Sequence, residues 1–207
     1  MTEAARAASE YTVRPLGPDT WAAFAELAGR HNGVWNGCWC TWFHASRASR
    51  AAATTCGEKG PTAEGNRALK EGLVRQGRAH AALVFDGAAA VAWCEYGSPE
   101  ELPNIYHRKE YEAGLEQLPD YRITCFFVAS AYRRKGVAAV ALHGALDLIA
   151  HAGGGVVEAY PHDTQGKRTS GSFLYNGTRS LFEKAGFRYE RPKGQKNCVM
   201  SRTVQPG

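Results

Sequence analysis

The sequence predicts an α/β fold built on a mixed, mostly antiparallel sheet of about six or seven strands with flanking helices. Three features carry this expectation. Asp86-Gly87 sits between two apolar runs, the pattern of a tight antiparallel hairpin. The strand-helix-strand order across Arg122–Pro161 calls for a parallel crossover. Two short runs near the end, Gly186–Glu190 and Asn197–Val204, close the sheet as a second hairpin.

In chain order, Tyr11–Leu16 reads as a short strand. Pro18-Asp19-Thr20 then supplies helix-start chemistry ahead of Trp21, Phe24, Leu27 and Ala28, so a first helix is expected over roughly residues 20–30. His31 to Cys56 is aromatic-rich and irregular. Gly57–Gly65 has no apolar period and is expected to be mobile. A second helix follows from about Asn66 to Gln76, with Leu69 and Leu73 on one face. Strands at His80–Phe85 and Ala88–Tyr96 flank the Asp-Gly pair. After a connecting segment with a short helix around His107–Leu115, the run Arg122–Val128 is too apolar to be half exposed and reads as a central strand. Val137–His151, rich in Ala and Leu and stopped by Gly153-Gly154-Gly155, is the strongest helix; Val156–Pro161 resumes as a strand. A loop from His162 to Ser172 leads to a short helix near Asn176–Ala185. No internal repeat is visible, and residues 1–207 read as one domain with residues 1–10 as a tail outside it.

Composition bounds the function classes. There is no run of about eighteen apolar residues, and Met1–Tyr11 lacks the basic-then-apolar layout of a signal peptide, so a soluble, cytoplasmic protein away from membranes is expected. The six cysteines, Cys38, Cys40, Cys56, Cys94, Cys125 and Cys198, then read as reduced thiols, with Cys94 and Cys125 in apolar strands as core. A net charge of +5 favours anionic ligands, yet the bases are scattered and do not form a nucleic-acid stripe. Only Arg133-Arg134-Lys135 is a tight cluster, and taken alone it would read as a solvated turn.

Its context changes that reading. A buried strand, a basic turn with Gly136, and a helix opening on Val137 and Ala138 put unpaired backbone N–H groups at the positive end of a helix dipole, an arrangement that binds phosphate. The turn lacks the Gly-Lys-Ser/Thr ending of a Walker loop and the Gly-x-Gly-x-x-Gly of dinucleotide folds.

Arg133-x-x-Gly136-x-Ala138 resembles the Q/R-x-x-G-x-G/A signature of the GNAT N-acetyltransferases, and Leu181-Phe182-Glu183-Lys184-Ala185-Gly186-Phe187 resembles their second motif. The element order agrees with that family over roughly residues 11–204. Cys38-Trp39-Cys40 upstream is similar to a bacterial subgroup of it. The resemblance implies a sheet whose parallel pair splays, with acetyl-coenzyme A as co-substrate. The pantetheine arm would bond to the main chains of Phe126, Phe127 and Val128, and the pyrophosphate would lie on Arg133, Arg134, Lys135, Gly136, Val137 and Ala138. It implies transfer of an acetyl group to a primary amine, on a small molecule in the first instance. A protein amine, or a non-catalytic acetyl-coenzyme A sensor or scaffold, remains as an alternative, and the sequence leaves monomer or homodimer open.

The catalytic groups depart from the family pattern. Its glutamate base falls on Arg122 and its tyrosine acid on Phe182. Glu95 is the first substitute as base and Glu158 the second; Tyr175 is the first substitute as acid, with Tyr160 as another. His107 and His162 are further titratable groups near the expected acceptor entrance. Cys38, Cys40, His44 and Cys56 could be imagined around zinc, but a C-x-C pair without a partner C-x-x-C favours metal-free thiols. Trp35, Trp39, Trp42 and Phe43 read either as an aromatic wall of the acceptor site or as a satellite core under a long loop.

Overall fold

A computed structural model describes residues 11–34, 36–44, 62–164 and 174–207. The expectations for the tail at 1–10, for Trp35 and Cys56, and for residues 57–61 and 165–172 concern positions outside the described residues.

Seven strands form one sheet in the order β1-β2-β3-β4-β5-β7-β6. They are β1 (Thr12–Pro15), β2 (His80–Asp86), β3 (Ala89–Gly97), β4 (Tyr121–Val128), β5 (Gly155–Ala159), β6 (Arg188–Lys193) and β7 (Asn197–Val204). Every neighbouring pair is antiparallel except β4 and β5. The β2–β3 hairpin turns through Gly87 and Ala88, because Asp86 pairs with Ala89 and Gly87 takes a φ of 57°. The helices are α1 (Trp21–Arg30), α2 (Ala63–Arg75), α3 (Arg108–Ala113), α4 (Val137–His151) and α5 (Arg179–Lys184). Helix α2 starts three residues earlier than its apolar stripe suggested, because the Thr62 hydroxyl accepts from the Gly65 N–H and caps it.

Both faces of the sheet are covered, which is why β3 and β4 read as nearly continuous apolar runs. On one face α4 packs Ala141, Leu142, Ala145 and Ile149 against Ala82, Val84, Cys94, Phe126 and Val157. On the other, α1 and the aromatic segment bury Phe24, Leu27, Trp39 and Phe43 against Leu83, Trp93, Cys125 and Phe127. Trp39 and Phe43 are therefore core, while Trp42 is half-buried and stacks on Tyr106 with ring centres 3.7 Å apart. No helix among the described residues is long and apolar enough to cross a membrane.

Candidate active site

β4 is paired on both sides only at its start. Its parallel register with β5 covers Tyr121, Arg122 and Ile123 and then ends, while pairing with β3 continues to Val128. A bulge between Glu95 and Tyr96 shifts the β3–β4 register there. Antiparallel alternation fixes which groups face the gap left by β5. Phe126 donates its N–H to the Tyr175 carbonyl at 2.6 Å, and the Val128 carbonyl accepts from Arg133 Nε at 3.0 Å, so these two residues point their main chain away from β3. Phe127 alternates with them and lies in the β3 ladder. This corrects the expectation that all three residues offer main chain to the gap: Phe127 contributes a side chain stacked 4.7 Å from Trp93.

The chain leaves β4 through a short 3₁₀ turn, Ser130–Tyr132, and enters α4 at the same end of the sheet. Arg134 and Gly136 both adopt left-handed φ values, 61° and 78°, which curls the amides of the turn inward. Among the described residues no backbone acceptor takes the N–H groups of Arg134, Lys135, Gly136, Val137 or Ala138. No side chain caps α4 and no acid stands in its first turn, whereas Thr62 and Thr178 cap α2 and α5. The start of α4, the longest of the described helices, thus has no capping group among the described residues, with exposed Arg133, Arg134 and Lys135 around it, an arrangement suited to an anion.

The opposite wall of the gap comes from residues 174–178. Asn176 gives its side-chain N–H to the Tyr160 carbonyl at 3.1 Å, and its Oδ1 is buried with no partner among the described residues. An orphaned buried acceptor beside the gap suits an inserted chain carrying amide N–H groups, which is the chemistry of pantetheine. Sequence reading missed Asn176, whose only signal was its place just ahead of the second motif. Phe182, at the family's tyrosine position, is fully buried against Phe126 and Phe187.

The structure takes Glu95 out of reach. It is 1% exposed, with Lys70 Nζ at 2.5 Å and His44 Nε2 at 3.3 Å from Oε1, and the Thr124 hydroxyl donating to Oε2 at 2.8 Å. Burial pushes its carboxyl up, but the Lys70 charge is the largest influence in the other direction, and the carboxyl comes down to about 2. A carboxylate so placed is a very weak base with no path to an amine, and it serves as the anionic half of a buried pair. His44 gives its Nδ1 proton to the Glu101 carbonyl, and burial followed by the Lys70 charge lowers its pKa, so it stays neutral.

Glu158 is also enclosed: its Oε2 accepts from the hydroxyls of Tyr111 at 2.8 Å and Tyr160 at 2.9 Å. Tyr160 is committed to that bond, and burial keeps its pKa well above the ordinary value. Arg122 spends Nη1 on the Leu102 carbonyl and reaches the Tyr111 hydroxyl with Nη2. Tyr175 lines a cavity of about 420 Å³ together with His107, Glu110, His162 and the β6–β7 turn from Gly194 to Asn197, and burial raises its pKa. One residue therefore borders both the strand gap, through its carbonyl, and the cavity. Among the described residues no group of His, Cys, Asp and Glu is arranged to hold a metal ion.

No protein-family model matches the sequence, and no curated protein matches it. Solved structures do match in fold. A mosquito arylalkylamine N-acetyltransferase-like 5b aligns with a TM-score of 0.53 and 14% identity over 94% of this chain and 100% of its own. A GNAT-family acetyltransferase from Streptococcus pneumoniae gives 0.51 and 11% over 94% and 99%. A Salmonella typhimurium structure solved with its cofactor acetyl-CoA gives 0.51 and 12% over 96% of each chain. At these identities the likeness is one of fold: the chain has the fold of the GNAT acetyltransferases over nearly its whole length.

Proposed function

We propose that the chain is an acetyl-coenzyme A-dependent N-acetyltransferase acting on the primary amine of a small molecule. One observation carries the reading. β4 loses β5 after Ile123, turns Phe126 and Val128 main chain into the gap, and leads at once into a helix start whose amides are uncapped. The acetyl-CoA bound in a structure of the same fold supports it.

Bound there, the cofactor would supply an acetyl group activated as a thioester. Arg133 through Ala138 would hold its pyrophosphate on backbone N–H groups, and Asn176 Oδ1 would accept from a pantetheine amide. The Phe126 N–H, now held by the Tyr175 carbonyl, would be the strand donor available to a thioester carbonyl oxygen. The cavity beside Tyr175 is the acceptor site, and its volume suits a small molecule. With Glu95 sealed away, His162 at the cavity wall is the base that takes the amine proton. Tyr175, which its raised pKa keeps protonated at neutral pH, donates to the departing sulfur.

Calorimetry with acetyl-CoA tests binding, and thiol release with a panel of small amines tests turnover. Tyr175→Phe is expected to slow the chemical step about tenfold or more in single-turnover assays. An unchanged step removes Tyr175 from the reaction. Phe182 in the family's acid position and the sealed Glu95 favour a second reading, a sensor of acetyl-CoA without turnover. Tight binding with no thiol release from any amine selects it.

A further inference from the structure

On the α1 face of the sheet the Cys40 and Cys125 sulfurs lie 2.9 Å apart, and both residues are 2% exposed. A disulfide measures about 2.05 Å, so closing one here needs about 0.9 Å of approach. Among the described residues no other two sulfurs make such a contact, although Cys94 and Cys198 are equally buried. Cys40 belongs to the segment between α1 and α2, and Cys125 precedes the strand residue whose amide faces the gap. We infer that Cys40 and Cys125 form an oxidation site, at which a peroxide-class oxidant makes a disulfide that ties this segment to β4 and weakens the cofactor cleft.

The chemistry follows from the contact. The contact with Cys40 is the strongest influence favouring a Cys125 thiolate, set against burial and the Glu95 charge, which leave that thiol raised overall. Cys40 is held well above its ordinary value, by burial first. Cys125 is therefore the attacking sulfur. It bonds one oxygen of hydrogen peroxide as the O–O bond breaks, giving a sulfenic acid and a hydroxide that leaves as water with the Cys125 proton. The Cys40 sulfur then attacks the Cys125 sulfur, the S–O bond breaks, and the second hydroxide leaves as water with the Cys40 proton. Two thiols and one peroxide become one disulfide and two waters.

Access comes through strain. Val34, Trp39 and Cys40 all sit in the left-handed region, with φ of 46°, 50° and 51°, a conformation that bulky residues hold only when their surroundings force it. That stored strain favours transient opening of the backbone at Trp39 and Cys40 to an oxidant as small as peroxide.

The test treats the folded, reduced full chain with hydrogen peroxide, maps disulfides by peptide mass spectrometry after alkylation, and titrates acetyl-CoA into reduced and oxidised protein. A Cys40–Cys125 crosslink is expected, with acetyl-CoA affinity reduced about tenfold because β4 moves on the ångström scale. Reductant restores the affinity, and both effects are absent in Cys40→Ser, with Cys40→Ala as the second variant should the first not fold. No crosslink, a Cys38–Cys40 crosslink instead, or a Cys40–Cys125 crosslink with unchanged affinity overturns the inference. The affinity arm rests on the proposed function. If the reduced protein does not bind acetyl-CoA, that proposal fails by itself and the mapping alone decides the thiol pair.

Discussion

Two buried amines, Lys70 and Lys193, sit in opposite circumstances, and their energetics differ accordingly. Lys70 is 1% exposed and fully engaged by Glu95 and His44. Lys70→Met strands the Glu95 charge in the core, and a loss of about 3–5 kcal/mol in urea-unfolding free energy is expected. Replacing Glu95 with Met as well should recover much of that, since removing both partners abolishes the stranded charge; a double variant no more stable than Lys70→Met contradicts this. Lys193 is equally buried, but it donates to the Tyr106 carbonyl at 2.9 Å, lies over the Tyr160 ring and meets no carboxylate within ion-pair distance among the described residues. Burial, the largest influence, brings its pKa from 10.5 to about 8. Between those values the unfolded chain binds the proton and the folded chain does not, so the Lys193 contribution to stability rises as pH increases from about 8 to 10.5. Below about pH 8 the full cost remains. Lys193→Met is therefore expected to be more stable than the parent at pH 7 by about 1–3 kcal/mol, with the difference shrinking towards pH 10. A constant difference across that range removes the titration argument.

Among the described helices, α4 has the most buried residues and presents the proposed anion site, and its sequence serves the two roles separately. Its first residues are small and uncapped, while its middle is a nearly all-apolar face pressed on the sheet. Gly144 allows the closest approach, because a Cβ there would meet Val13 Cγ1 at 2.5 Å. Gly144→Ala is expected to cost about 1–3 kcal/mol through overpacking against β1, read as a lower urea midpoint with an unchanged slope. An unshifted midpoint would mean that β1 yields freely. This helix, the Asp-Gly hairpin and β7 were legible in the sequence because their signals are local: apolar period, stop glycines, turn chemistry. The turn into α4 was legible for the same reason, lying within six consecutive residues. The buried surroundings of Glu95 were harder. Glu95, Lys70 and His44 lie 25 or more positions from one another along the chain, and nothing in the periodicity of β3 shows that helix α2 delivers an ammonium to Glu95. Asn176 and the pairing of Cys40 with Cys125 were hidden likewise, since burial and orphaned acceptors exist only after the chain has folded.

Taken as a molecule, the chain places a gap in strand pairing and a cavity beside one strand. The gap beside β4 opens toward the start of α4, and the cavity framed by His107, Glu110, His162 and Tyr175 meets it at Tyr175. On the proposed function, this layout would let a thioester arrive along the strand and an amine arrive from the cavity without sharing an entrance. All of it depends on the helix start capturing a diphosphate. Calorimetric titration of acetyl-CoA into the parent chain and into Gly136→Val addresses that directly, because a β-branched residue at φ 78° cannot keep the turn as it is. One site per chain is expected for the parent, with affinity falling about tenfold or more in the variant while the urea midpoint moves only slightly. No measurable heat with the parent, or equal affinity in the two proteins, would show that the anion site is not at the head of α4.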